Sequence, residues 1–82
     1  MQFTKNDIYI LNSILKNGGV NELKSVSIST ITKDTELSHT KVRATIKVLA
    51  SGNYIKEGFM QKNAKTYFIT DEGKEMLTKL LS

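Results

Sequence analysis

Apolar residues along this chain recur at helical spacing, switch to the alternation of strands, and then return to helical spacing. Ile8, Leu11 and Leu15, joined by Ile14, form the first stripe. Thr4 is a good N-cap before it, Asp7 completes a capping box, and Phe3 is placed to staple onto Ile8. Gly18-Gly19 supplies a left-handed stop, so a first helix is expected from about Lys5 to Asn17. Tyr9 and Ile10 lie off the stripe and either form a dimer surface or complete a small core.

Residues 20 to 28 are ambiguous, with a helical possibility around Asn21 to Lys24 and a β-like run, Val26 to Ile28, read as a short strand. Ser29 is expected to cap a second helix, with Ile31 and Thr35 inward and Lys33 and Asp34 outward. Three threonines give that helix low propensity, so tertiary packing must hold it. Glu36, Leu37 and Ser38 then form a turn, with Leu37 buried and Ser38 capping a third helix from His39 to Ser51. Val42, Ile46 and Leu49 share one face of this helix, while His39, Thr40, Arg43 and Lys47 fall on the other.

Gly52-Asn53 ends the third helix with two residue types that tolerate a left-handed backbone. The period then becomes two: Tyr54 to Phe59 and Lys65 to Ile69 read as the strands of a hairpin, with Lys62, Asn63 and Lys65 at its polar tip. Thr70 caps a last helix whose first turn carries Asp71 and Glu72, where the helix dipole favours negative charge. Met76, Leu77, Leu80 and Leu81 form its apolar side, which closes the core or packs across a two-fold axis.

Charge changes what this α+β pattern means. Residues 37 to 70 carry six basic side chains against Glu57 alone, whereas the rest of the chain carries six against seven acidic ones. The net charge of +4 is therefore concentrated in the third helix and the hairpin, the footprint of a phosphate-binding surface. A length of 82 residues suits a single domain, residues 1–82. The absence of Cys removes disulfides and thiolate metal sites and fits a reducing cytoplasm; a single His makes structural zinc implausible. No apolar run approaches the roughly 18 residues of a membrane span, and residues 1 to 15 lack a signal-peptide core. No catalytic constellation, cofactor motif or small-molecule site is evident, and an enzyme is not expected.

The order of helix, short strand, helix, turn, helix, hairpin and helix resembles the winged helix-turn-helix family, and particular stretches match MarR- and PadR-like regulators. Ser38, Val42, Leu49 and Asn53-Tyr54-Ile55 follow the recognition-helix pattern, with Asn53 where the family usually has Gly. Tyr67-Phe68-Ile69-Thr70-Asp71-Glu72-Gly73 follows the pattern of the second wing strand. The long dimerisation helices of MarR-like proteins have no counterpart, and the compact form resembles small plasmid and phage DNA binders, including TubR-type centromere-binding partition proteins and conjugation accessory proteins. In some of those the recognition helix helps form the dimer, and its N-terminal end and the wing do the DNA work.

The resemblance and the charge together imply a dimeric double-stranded DNA binder, with helix 39–51 in the major groove and hairpin 54–69 as wing. His39, Thr40 and Arg43 are the candidates for base reading; Lys41, Lys47, Lys62 and Lys65 suit phosphate, with Ser38 and Asn63 at the margins of the surface. Arg43 has an alternative as a surface partner of Glu36 or Glu57, and Ser38 as a purely structural cap. A transcriptional repressor is the simplest function, a structural DNA binder of a mobile element on iterated sites the second, and a winged-helix protein-interaction module the third.

Overall fold

The computed structural model describes residues 3–82; Met1 and Gln2, which open the stretch read as lacking a signal-peptide core, lie outside them. The elements run α1 (Lys5–Lys16), β1 (Val26–Ser27), α2 (Ile28–Thr35), α3 (His39–Ser51), β2 (Ile55–Glu57), β3 (Thr66–Ile69) and α4 (Asp71–Leu81). This is the α+β winged helix-turn-helix order, with an antiparallel sheet arranged β1-β3-β2.

Local signals set most helix starts. Thr4 Oγ1 accepts the Asp7 amide while the Asp7 carboxylate accepts the Thr4 amide at 2.7 Å, completing the capping box of α1. Ser38 caps α3 by accepting the Lys41 amide at 3.2 Å, and Thr70 caps α4 by accepting the Gly73 amide at 3.0 Å. Gly18 takes the left-handed conformation that ends α1, with φ +80°, and Asn53 does so after α3, with φ +63°.

Packing departs from the sequence reading in several places. Ile10 is fully buried and Tyr9 half exposed, so the inward face of α1 is Asp7, Ile10, Leu11, Ser13 and Ile14, and Leu15 is turned outward. Phe3 meets the edge of the Tyr54 ring, with centroids 5.1 Å apart. Residues 21 to 24 form no helix; the Asn21 side chain closes a turn by accepting the Leu23 and Lys24 amides. The cap of α2 is Ser27, not Ser29, because Val26 and Ser27 pair with Tyr67 and Thr66 and the chain turns helical directly after them. Leu37 is only half-buried, and on α4 Leu77 is buried while Met76 and Leu80 are partly covered and Leu81 exposed. The hairpin ladder is shorter than residues 54–69, comprising Ile55 to Glu57 against Tyr67 to Ile69.

The core lies between α1, α3 and the sheet. Val42, Ile46 and Leu49 of α3 join Ile10, Leu11, Ile14, Ile31, Ile55, Ile69 and Leu77 there, all nearly sealed from solvent. Each such side chain contributes roughly 1.5–3 kcal/mol on burial, which fixes the inward face of α3 without using its polar face. At the junction of α1 and α2, Lys16 pairs with Asp34 at 2.8 Å, and that hydrogen-bonded ammonium holds the Asp34 carboxyl below its ordinary value.

β3 ties the remaining segments together. The Ile69 amide donates to Gly19 O at 2.8 Å, the Thr70 amide to Tyr54 O at 3.1 Å, and the Thr70 hydroxyl to Asn53 O at 2.6 Å. Thr66, fully buried, donates its hydroxyl to Phe59 O at 2.6 Å and lies 2.7 Å from Ser25 Oγ. The Phe59 amide in turn donates to Glu22 O. The outgoing limb of the hairpin is therefore fastened, just beyond β2, both to β3 and to the loop before β1.

Two outcomes test this packing. Gly73 lies in the first turn of α4, where a Cβ would collide with the Tyr54 carbonyl oxygen and crowd Ile69. Gly73→Ala is expected to destabilise by about 1–3 kcal/mol through overpacking, although Ala is the better helix former by about 1 kcal/mol. Urea unfolding at equilibrium reads the sign. Thr66→Val keeps the shape but takes the hydrogen from the Phe59 carbonyl and the acceptor from the Ser25 hydroxyl, and is expected to cost about 1–3 kcal/mol in the same assay.

Candidate nucleic-acid interface

The hairpin presents one side chain in two to each of its faces. On one face Ile55 and Ile69 pair at the base, Glu57 and Tyr67 pair above them, and Lys65 follows toward the tip. This face changes from apolar to charged with distance from the core. Opposite it stands the polar side of α3, where His39, Thr40, Lys41, Arg43 and Lys47 are all exposed.

Between helix and hairpin runs an open groove of about 700 Å³. His39, Arg43 and Lys47 line it from α3; Glu57, Asn63, Lys65 and Tyr67 line it from the wing; Ile28 and Ser29 close one end from the start of α2. Five residues proposed from sequence for DNA contact thus meet in one place: His39, Arg43, Lys47, Asn63 and Lys65. Ser38, Thr40, Lys41 and Lys62 stand outside the groove lining but on the same exposed ends of α3 and the wing. The Ser38 hydroxyl is occupied in capping α3.

Tyr67 and Ser29 were not among the sequence candidates. Tyr67 was accessible to reasoning, since alternation from Lys65 places it on the same strand face. Its ring is buried and its hydroxyl is held above the ordinary phenol value, first by burial and then by the Glu57 carboxylate, so it stays a hydrogen-bond donor at neutral pH. Ser29 enters only because α2 begins earlier than its sequence suggested.

Two ion pairs form among the described residues, and Arg43 belongs to neither. The guanidinium is thus not engaged by Glu36 or Glu57, the two carboxylates considered for it. Lys65, by contrast, lies 3.4 Å from Glu57, with both side chains more than half exposed. Arg43 brings five N–H donors in a planar fork, suited to bidentate contact with guanine O6 and N7 or with a phosphate.

The wing tip has an unusual backbone. Gln61 and Ala64 bridge each other, and between them Lys62 and Asn63 both take positive φ, +48° and +66°. Left-handed conformations at both central positions define a type I′ turn, whose preferred residues are Asn or Asp followed by Gly. Lys at the first position is unfavourable for the turn, yet it places an ammonium at the outermost point of the hairpin. Among the described residues there is no group of three or more His, Cys, Asp or Glu side chains able to hold a metal ion, and no helix long and apolar enough to cross a membrane.

No family model matches the chain. A curated relative, the DNA-binding protein TubR of a Clostridium botulinum C phage, is 35% identical over 81 residues, which is 99% of this chain and 100% of the relative. The solution structure of the DNA-binding TubR fragment from Clostridium botulinum superposes with a TM-score of 0.76 at 35% identity, covering 98% of this chain and 99% of that one. TubR from Bacillus megaterium pBM400 shares the fold more tightly, with a TM-score of 0.86 at 21% identity over 98% of this chain and 88% of that one. With identity of this order maintained along almost the whole of both sequences, the chain belongs to the TubR family of DNA-binding proteins.

Proposed function

We propose that this protein binds double-stranded DNA as a homodimer, with α3 in the major groove and the tip of the hairpin, as wing, against the adjacent backbone. The observation that carries this reading is the groove in which His39, Arg43 and Lys47 face Asn63 and Lys65 across the space between recognition helix and wing. His39 and Arg43 from the groove, with Thr40 beside it, read base edges from the N-terminal turns of α3, where a recognition helix lies deepest. Lys41, Lys47, Lys62 and Lys65 meet phosphates as point charges, and Ser38 and Asn63 complete the surface at the helix start and the wing tip. The strained Lys62 backbone supports a role for its ammonium, since local preference is set aside most often where a side chain is needed for contact.

Membership of the TubR family shifts the preferred process. A structural DNA binder of a mobile element, occupying iterated centromere-like sites for partition, now stands ahead of a simple promoter-occluding repressor. A two-fold dimer suits both, because paired recognition helices read half-sites separated by about one helical turn. Tyr9 on α1, Val48 on α3 and Leu81 on α4 are among the exposed apolar side chains from which a dimer contact would draw.

The direct experiment is a titration of the full chain against a duplex carrying the repeats near its own gene and an unrelated duplex of equal length, each at two salt concentrations. The repeat duplex is expected to bind more tightly by a factor of about 10³ or more, with both affinities falling steeply as salt rises. Binding to neither duplex at low salt would refute the reading. In the same titration Arg43→Ala is expected to weaken repeat binding by about 1–3 kcal/mol and relax sequence preference, whereas Lys47→Ala should weaken both duplexes alike and lower the salt slope by about 0.9.

A further inference from the structure

One carboxylate stands inside the cationic groove. Glu57 is the only acidic residue between Glu36 and Asp71. It sits on β2 directly opposite Tyr67 and lines the same groove as His39, Arg43 and Lys47. Its partner there is Lys65, 3.4 Å away across an exposed gap.

Stability does not account for this placement. Two flexible, solvent-exposed side chains gain little from pairing, and β2 is already held by its ladder to β3 and by the burial of Ile55. For contact with any nucleic acid the carboxylate is a liability: it repels phosphate and occupies one of the six cations of the helix and hairpin. Glu57 and Tyr67 are cross-strand partners and both line the groove, so the field of the carboxylate acts within the groove as well as outward to solvent. A group that adds little to the fold and opposes binding in general has its effect on the difference between one duplex and another.

We propose that Glu57 is a specificity-determining residue, weakening binding to every duplex through phosphate repulsion and regaining the loss only where a base offers an exocyclic amino group to its carboxylate. Cytosine N4 is the donor best matched to a glutamate in the major groove. On such a site the carboxylate accepts from the base and lets go of Lys65, whose ammonium turns to the nearest phosphate. On other sequences Glu57 stays on Lys65 and that phosphate contact is not made. This inference rests on the duplex-DNA reading above and adds to it the element that rejects wrong sites.

The test is Glu57→Gln in the full chain, titrated beside the wild type against the repeat duplex and the unrelated duplex at two salt concentrations. Binding to the unrelated duplex is expected to tighten about three- to tenfold and its salt slope to steepen by about 0.9 as Lys65 becomes free to release a counterion. Binding to the repeat duplex is expected to hold or weaken, so that the ratio between the two falls by at least about three- to tenfold. Lys65→Gln supplies the second arm: with Glu57 left unopposed, it should weaken the unrelated duplex more than Lys62→Gln does. Equal tightening on both duplexes by Glu57→Gln would overturn the proposal by making Glu57 a uniform electrostatic cost, and unchanged affinities would overturn it outright. Both results leave the DNA reading standing, provided the wild type binds. A wild type that binds neither duplex removes the DNA reading, and this proposal falls with it.

Discussion

The hydroxyl of Thr66 sets where the wing stands. It is sealed from water, and its one proton goes to the Phe59 carbonyl, so the short approach of Ser25 must be Ser25 donating to Thr66. Ser25 also has the Glu22 carbonyl within reach at 3.2 Å, and its single proton is shared between the two acceptors. Three stretches of chain, the loop before β1, the outgoing limb of the hairpin and β3, are thereby joined through two hydroxyl groups. A two-stranded ribbon on its own is marginal in water, and without this fastening the hairpin would swing relative to α3. The width of the groove, and therefore which ligand atoms can touch both walls at once, follows from a part-buried hydrogen-bond network whose residues do not line the groove.

The third helix divides its work cleanly between its faces. Val42, Ile46 and Leu49 are committed to the core, and among the described residues no ion pair holds the polar side in place. Stability and recognition thus draw on different residues of the same thirteen-residue helix. Under the proposed reading, substitutions on the outer side change what is read without changing whether the helix forms, as suits a fold whose functions are set by grafted surface chemistry.

What the sequence revealed and what it hid separate along a physical line. Thr4, Ser38 and Thr70 were recognisable as caps because the amides they accept lie three residues away. Ser27 and Ser29 are two residues apart and equally suited to capping, and the choice between them is made by the pairing of Val26-Ser27 with Tyr67-Thr66, roughly forty positions distant. In α1, Ile10 and Leu15 are both apolar; which of them turns inward depends on where the later helices and β3 lie. The positive side chains of the interface were visible as a cluster, but their meeting across one groove depends on the wing, whose tip contains no Gly at either turn position to announce a two-residue reversal. Glu57 was legible only as a possible partner for Arg43, since nothing local ties it to Lys65 eight residues on.

The two-residue turn at the wing tip also limits how such an interface can change over evolutionary time. Alternation fixes Glu57, Lys65 and Tyr67 on the groove side of the hairpin, and a single inserted residue in one limb would send every later side chain to the opposite face or force a bulge. The hairpin already carries one unmatched residue, since four steps lead from Glu57 to Gln61 but three from Ala64 to Tyr67, and the outgoing limb absorbs it before the tip. Reach toward a longer or differently shaped ligand is therefore gained only where an added residue can be absorbed outside the paired strands, while the identity of the side chains already in place is free to drift one residue at a time. Relatives built on the same turn would be expected to diversify their recognition by substitution far more readily than by insertion.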